Sequence, residues 1–324
     1  FQAASFPSML APRSAYAKRD ACSVSRALSR SGHGPTNPKF APIFIRVLID
    51  AVTDETSPML SIALAEYCEA IIAISPSRWP VRKLLNQFGR YYAAYMLIHN
   101  YYGWLGDDPA LPTLSRLKRL SSLSPRHTTH FVGVLKTAGF VTSEPVAVDR
   151  RQTLLRPEPV LVEEIGRSIL AFLAAHDRIA GTAHAAFLSG SVERIGAIIH
   201  LSARQILAGG TVISPFPTIA AMANYDCGYP VLGALMAAHY ASEARRPVPL
   251  LTLEPLAERF QVSKSHVGNV FSYLSSVGLI DAGRGVRPAL VEEFERWSVA
   301  EMNHYALLAA RLTSDHGACG ALNA

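Results

Sequence analysis

The stretch that decides the fold is LSRLKRLSSLSPRHTTHFVGVLKTAGFV, residues 114–141. It returns 139 residues later as LEPLAERFQVSKSHVGNVFSYLSSVGLI, residues 253–280. Six of the 28 aligned positions are identical without a gap, whereas ordinary residue usage would give about two by chance. The identical pairs are Leu114/Leu253, Leu117/Leu256, Ser124/Ser263, His127/His266, Leu135/Leu274 and Gly139/Gly278. A fixed long period indicates a repeated structural unit, so the sequence predicts two copies of one domain.

The similarity extends beyond this stretch on both sides. Upstream, Ile-Ser-Pro at residues 74–76 matches Ile-Ser-Pro at residues 213–215 with the same offset. Downstream, PVLVEEI from Pro159 matches PALVEEF from Pro288, but ten residues out of step. The slip predicts that the segment before these motifs is about ten residues shorter in the second copy.

Each copy has the sequence signals of two helices followed by a hairpin. Three leucines of the first copy, at positions 114, 117 and 120, have helical spacing. Ser124 stands where a helix N-cap is expected, and Pro125 suits the first helical position. The second helix is predicted to end at Gly139, because glycine readily adopts the left-handed conformation. Short extended pieces at 141, 147–148 and 153–155 then flank the polar tip Asp-Arg-Arg at 149–151, which completes a winged helix-turn-helix pattern.

The first copy resembles the MarR group of bacterial transcription regulators. The resemblance is carried by SPRHTTHFVGVLKTAGFV from Ser124 and by DRRQTLLRPE from Asp149. In that group the recognition helix follows a Ser cap and ends at a Gly, and the wing carries Asp-Arg-Arg. The resemblance implies a DNA-binding winged helix on a helical dimerisation domain, often with a ligand pocket where the two meet. It covers residues 40–310 approximately, but the second copy lacks Asp-Arg-Arg in its wing.

MarR-like proteins pair two chains, so the tandem repeat implies a pseudo-dimer inside one polypeptide. The expected fold is mainly α with small β-wings: two tandem winged helix-turn-helix domains on a helical scaffold that form an intramolecular pseudo-dimer. The chain is then either a monomer that acts as a pseudo-dimer or a homodimer. The expected segments are a disordered basic arm at 1–38, repeat 1 at 39–182 (winged helix about 109–158), repeat 2 at 183–312 (winged helix about 248–288) and a flexible tail at 313–324. Helices outside the winged modules are expected at 40–52, 57–74, 80–102, 163–180, 192–207, 230–244 and 290–312.

Positive charge is distributed unevenly along the chain. The net charge is +6, and residues 1–39 alone contribute six basic side chains and one acid. Residues 114–156 carry eight Lys or Arg and two acids, whereas residues 251–287 carry four and three. Because neutralisation of phosphates drives affinity for nucleic acid, the first module is expected to bind double-stranded DNA better than the second.

The residues expected to contact DNA lie at the start of each second helix and at the wing tips. Arg126 has the fork that binds a guanine edge, and Asn269 can pair with adenine. Arg150 and Arg151 suit phosphates or a narrow minor groove. Solvated positions with no ligand are the alternative for all of them. The full set is Ser124, Arg126, His127, Thr129, His130, Arg150, Arg151, Lys264, Ser265, His266, Asn269 and Arg284.

An aromatic stretch is the candidate for a ligand pocket. Tyr91, Tyr92, Tyr95 and Trp104 are expected to form the wall of a pocket for a small aromatic or apolar effector. The alternative is that these rings belong to a long helix and pack in the protein core or at an interface, which is the more common role of such a stretch.

Other function classes lack sequence support. There is no Gly-rich phosphate loop, nucleophile elbow or zinc-ligand spacing, so no catalytic residue, metal or cofactor is expected. No apolar run is long enough for a membrane helix, and the four scattered cysteines suit a cytoplasmic protein. Two functions remain: a sequence-specific DNA-binding transcription regulator, or a winged-helix scaffold that binds a protein partner.

Overall fold

A computed structural model describes residues 57–73, 81–106, 108–145 and 152–320. The described chain is mainly helical with one small antiparallel sheet. Several predictions fall outside these residues: the basic arm at 1–38, the helix at 40–52, the break at 74–76, the wing tip with Arg150 and Arg151, and residues 321–324 of the tail.

The first half of the fold, residues 57–180, contains six helices and a hairpin. Its elements are α1 (Ser57–Ile72), α2 (Val81–Leu85), α3 (Phe88–Leu105), α4 (Leu114–Leu120), α5 (Pro125–Thr137), β1 (Val141–Pro145), β2 (Thr153–Pro157) and α6 (Pro159–Ala180).

The second half, residues 192–320, repeats the helices in the same order. A short helix, α7 (His184–Ser189), joins it to the first half. Its elements are α8 (Val192–Gly209), α9 (Pro217–Asn224), α10 (Gly228–Glu243), α11 (Leu253–Phe260), α12 (Lys264–Ser276) and α13 (Pro288–Gly320). Helices α8 to α13 therefore correspond to α1 to α6 in turn.

The matching serines cap α5 and α12 in the same way. The Ser124 hydroxyl accepts a hydrogen bond from the His127 amide at 3.3 Å, and the Ser263 hydroxyl accepts one from the His266 amide at 3.3 Å. Each bond satisfies one of the amides that a helix leaves unpaired in its first turn. The repeated Ser therefore has a structural reason that is independent of any ligand, whereas a backbone amide places no demand on the side chain of His127 or His266.

The matching glycines end the same two helices. Gly139 has φ 76° and Gly278 has φ 73°, a region that other residues adopt at a cost. The amides that follow them, of Phe140 and Leu279, each donate at 2.9 Å to a leucine carbonyl five residues earlier. Such a bond closes the helix and redirects the chain towards the next segment.

The hairpins account for the ten-residue slip between the copies. In the first half β1 pairs antiparallel with β2, from Val141↔Pro157 to Pro145↔Thr153. In the second half a single bridge, Ile280↔Val286, takes the place of the sheet. The prolines of the slipped motifs begin α6 and α13, so the hairpin alone changes in length.

The two halves interlock through their first helices. Helix α1 packs on α10 of the second half as well as on α6 of its own, and α8 packs on α3 of the first half as well as on α13. Helices α6 and α13 also pack on each other. The α3–α8 crossing is close, because the Tyr102 ring lies where a side chain on Gly196 would have to stand. The apolar core is therefore continuous between the halves.

Two helix bounds differ from expectation. The predicted helix at 80–102 is divided into α2 and α3, because Gln87 is extended, with φ −119° and ψ 138°. Helix α13 continues to Gly320 instead of ending at Leu312, so residues 313–320 are not a tail. The Thr313 and Ser314 hydroxyls bond at 2.9 Å to the carbonyls of Ala309 and Ala310, which keeps these polar residues compatible with the helix.

Candidate nucleic-acid surface and central cavity

Helix α5 buries its apolar side and exposes a polar one. Thr128, Phe131 and Leu135 are buried against the rest of the half. The Thr128 hydroxyl donates to the Ser124 carbonyl at 3.0 Å, so its burial leaves no polar group unsatisfied. The exposed side of the first two turns carries Arg126, His127, Thr129 and His130.

The polar side chains of this surface differ in whether they already form hydrogen bonds within the protein. The Thr129 hydroxyl donates back to the Pro125 carbonyl at 2.9 Å. Arg126 and His130, in contrast, make no side-chain hydrogen bond or ion pair with any residue that the structure describes. The fork of Arg126 is therefore available to an external acceptor.

The hairpin stands beside this helix. Its second strand also bridges to the residue before α4, since Thr113 pairs with Leu154 and the Leu155 amide donates to the Pro112 carbonyl at 2.8 Å. Across the strands Arg156 and Glu144 form an exposed ion pair at 3.4 Å. Arg150 and Arg151 belong to the connection at 146–151, which lies outside the described residues.

Helix α12 presents the matching surface of the second half, but its basic side chains have acidic neighbours. Lys264, Ser265, His266 and Asn269 are exposed. The Lys264 ammonium lies 2.6 Å from Glu254 Oε1. His266 Nδ1 lies 3.4 Å from Asp226 Oδ2.

Arg284 is directed inwards instead of forming an exposed wing tip. Its guanidinium lies over the Phe271 ring, 4.3 Å from the centroid, and donates to the Leu251 carbonyl. These contacts hold the short hairpin against α12 and occupy the group that DNA contact would need. The prediction that placed Arg284 in the DNA-binding set is therefore not supported by its geometry. Sequence alone gives no indication of these inward contacts.

A cavity of about 200 Å³ lies where the two halves meet. Its wall is contributed by helices α1, α2, α3, α6, α8, α9, α10 and α13 and by the segments at 86–87 and 211–213, and we call it the central cavity. Tyr91, Tyr92 and Tyr95 line it, but none of its lining residues belongs to α4, α5, α11, α12 or the hairpins, so it does not lie at the junction with a winged helix where the resemblance implies a ligand pocket. Trp104 is not among its lining residues and instead lies beside Tyr101, with ring centroids 6.1 Å apart. Trp104 lies thirteen positions after Tyr91 on α3, which is about 20 Å along the helix axis, so one small cavity cannot reach both.

Sequence reasoning missed one of the two acidic residues of the central cavity, Glu301. It lies one helical turn after Trp297 and one turn before Tyr305, and all three line the cavity. The Trp297 indole N–H donates to Glu301 Oε1 at 3.2 Å. Burial raises the pKa of Glu301 to about 7, although the Trp297 bond opposes the shift. The available signal was a carboxylate flanked at i−4 and i+4 by aromatic residues on one helix.

A histidine pair lies in the core between α3 and α8. The His99 and His200 rings stack with centroids 4.6 Å apart, and His200 Nδ1–H donates to the His99 carbonyl at 3.0 Å. Burial lowers the pKa of His99 to about 3 and also lowers the pKa of His200, so both rings are neutral near pH 7. Within the described residues no group of three His, Cys, Asp or Glu side chains is arranged to hold a metal ion.

The two described thiols, Cys68 and Cys227, are buried, and burial raises the pKa of each. None of the helices in the described ranges combines the length and hydropathy needed to cross a membrane.

No known family model, curated protein or solved structure matches the chain.

Proposed function

We propose that this chain is a sequence-specific DNA-binding transcription regulator. Two winged helix-turn-helix modules, tandem within one chain, form a pseudo-dimer in which α5 and α12 are the recognition helices. The observation that carries the proposal is the exposed first turn of α5, where Arg126 has no partner among the described residues. In helix-turn-helix docking the N-terminal part of the second helix enters the major groove.

The proposed contacts of the first module follow from the chemistry of its exposed side chains. Arg126 would bind O6 and N7 of a guanine, a pairing worth about 1–3 kcal/mol of discrimination. His130 and His127 would bind neighbouring bases or phosphates, and the Ser124-capped helix start favours a phosphate. The wing arginines Arg150 and Arg151 would add backbone or minor-groove contacts.

The second module would contribute less binding energy and a different base preference. Asn269 is exposed and can pair with adenine, whereas Lys264 is held by Glu254. The low net charge of residues 251–287 supports the same asymmetry. A protein partner bound to this second surface is the alternative that its paired charges favour.

Selection of sites from a random pool of double-stranded DNA tests the proposal on the whole chain. We expect enrichment of one non-palindromic site, with the strongly selected half contacted by α5. Affinity for that site should fall steeply with salt, by about 0.9 log units per log unit of salt for each phosphate neutralised. The proposal fails if selection enriches no site. It also fails if the ratio of affinities for the selected and scrambled sites is the same in Arg126→Ala as in the wild type. Salt-sensitive binding without preference would then point to the basic residues before position 40.

A further inference from the structure

The wall of the central cavity is rich in aromatic side chains. Eight of its lining residues are Phe, Tyr or Trp: Phe88, Tyr91, Tyr92, Tyr95, Phe172, Tyr229, Trp297 and Tyr305. Several of these rings contact one another, as Phe172 does with Trp297 at 5.4 Å between centroids. Aromatic faces carry partial negative charge, so a wall of this kind attracts a cation as well as an apolar group.

The carboxyl of Glu301 lies in this wall without a cationic partner. Trp297 is its hydrogen-bond donor, and no ion pair joins it to any of the described side chains. Glu301 keeps partial accessibility although its carboxyl lies deep among protein atoms, as expected of a side chain that faces a cavity. An unpaired buried carboxylate is costly, so a ligand cation placed beside it would be favoured.

The basic residue of the cavity is already engaged. Arg167 Nε lies 3.3 Å from Glu164 Oε1, and its Nη1 donates to the carbonyls of Ala70 and Ile71 at 3.1 and 3.0 Å. The positive charge of Arg167 is therefore already balanced by the carboxylate of Glu164, so it favours an anionic ligand less than an unpaired arginine would. The other nearby base, His304, is uncharged near neutrality, because burial lowers its pKa to about 4.

We propose that the central cavity binds a small organic cation, an ammonium ion that carries one aromatic or comparably compact apolar group, with Glu301 as its counter-ion. The size of the cavity supports a ligand with one ring, because a cavity of about 150 Å³ accommodates benzene. The ring of the ligand would pack on the tyrosines, and its ammonium group would lie between Glu301 and the aromatic faces. This proposal does not depend on DNA binding, since the probes below are measured on the free chain.

Three probes of similar size separate the possible ligand chemistries in isothermal titration calorimetry. Phenyltrimethylammonium is the cation, tert-butylbenzene has the same shape without the charge, and benzoate is the anion. At pH 8 we expect the ammonium ion to bind at least tenfold more tightly than either of the others. No binding of the ammonium ion at millimolar concentration, or equal affinity for tert-butylbenzene or benzoate, would overturn the proposal.

The pH dependence of the wild-type chain gives a second readout. Phenyltrimethylammonium does not titrate, so any change in its affinity reports ionisation of the protein. With the pKa of Glu301 near 7, its ionised fraction and hence the affinity should fall about tenfold from pH 8 to pH 6. The other ionisable groups around it are Glu164, Arg167, His304, Tyr67, Tyr91, Tyr92, Tyr95, Tyr229 and Tyr305. The tyrosines remain neutral over this range, because burial raises their pKa values.

Glu301→Gln removes the charge and keeps a carbonyl oxygen for the Trp297 N–H. We expect this variant to lose both the preference for the ammonium ion and the pH dependence, while affinity for tert-butylbenzene stays unchanged. The matched control is Glu295→Gln on the same helix, because Glu295 bonds to the Tyr240 hydroxyl at 3.4 Å and does not line the cavity. Unchanged ammonium binding in Glu301→Gln would overturn the proposal. If that variant does not fold, the probe series and pH dependence of the wild type still decide it.

Discussion

The ammonium group of Lys264 lies 2.6 Å from a carboxylate oxygen of Glu254, and the first half has no equivalent pair. At the matching positions of the first half stand Pro125 and Ser115. The cation at the start of α5 belongs instead to Arg126, which has no acidic partner among the described residues. The two proposed recognition helices therefore differ in the availability of their charges as well as in sequence.

Glu254→Gln should increase DNA affinity, because it frees Lys264 for a phosphate and removes a negative charge near the groove. We expect DNA affinity to increase about two- to fivefold at low salt. We also expect the slope of log affinity against log salt concentration to become steeper by up to about one. Fluorescence anisotropy with the selected site at several salt concentrations measures both quantities. Glu258→Gln is the control, because it makes the same charge change on α11 at an exposed residue that forms no ion pair with Lys264. Equal increases in DNA affinity in both variants would show that the effect comes from the change in net charge and not from the release of Lys264.

Arg126→Ala should cost more specificity than Lys264→Ala. The guanidinium can make two bonds to one guanine, so its loss is expected to cost about 1–3 kcal/mol for the selected site and less for scrambled DNA. Lys264→Ala removes a cation that is already paired, and its effect should be about threefold or less. Competition binding with selected and scrambled duplexes gives both ratios. Equal losses of discrimination would argue for two equivalent recognition helices.

Local features of the fold could be predicted from the sequence because they depend on neighbouring residues. The Ser124 and Ser263 caps and the Gly139 and Gly278 helix ends are set by bonds within a few residues, and these positions were identified from residue type and spacing. The difference in hairpin length was likewise visible as a ten-residue slip in the repeat.

Contacts between distant parts of the chain could not be predicted in this way. The packing of α1 on α10 brings together segments far apart in sequence, and no residue pattern specifies that pairing. The position of Arg284 over Phe271 depends on the path of the short hairpin. The burial of Glu301 depends on seven other helices closing around it, whereas its sequence surroundings resemble an ordinary amphipathic helix.

Gly196→Ala should destabilise the fold at the crossing of α3 and α8. The added methyl group would overlap the Tyr102 ring, which is buried and has little room to move. Overpacking of this kind costs about 1–3 kcal/mol. Urea unfolding followed by circular dichroism measures the change in free energy of unfolding.

Gly133→Ala provides the opposite case. Gly133 is an exposed residue of α5, and no atom outside the adjoining backbone of that helix lies within 4 Å of the position of the new methyl group. Alanine is favoured over glycine in a helix by about 0.5–1 kcal/mol, so this variant should be slightly more stable than the wild type. Equal stability of the two variants would contradict the close helix crossing.

The pH dependence of stability should respond in opposite directions to the loss of His99 and the loss of Glu301. His99 has a folded pKa of about 3 against an ordinary value of 6.5, so the unfolded chain binds its proton more tightly between these values and stability rises with pH. Glu301 has a folded pKa of about 7 against an ordinary value of 4.5, so the folded chain holds its proton and stability falls as pH rises through that window. The two windows overlap between pH 4.5 and 6.5.

Within this overlap His99→Gln should make stability rise less steeply with pH, and Glu301→Gln should make it rise more steeply. Each change in slope is expected to be at most about 1.4 kcal/mol per pH unit, the value for one proton. Urea unfolding at several pH values between 4.5 and 6.5 gives the slopes, which do not depend on any uniform loss of stability in the variants. His130→Gln makes the same replacement at an exposed position and is the control for exchanging a histidine for glutamine. Slopes that change in the same direction in His99→Gln and Glu301→Gln would show that one of these groups does not have its assigned ionisation in the folded protein.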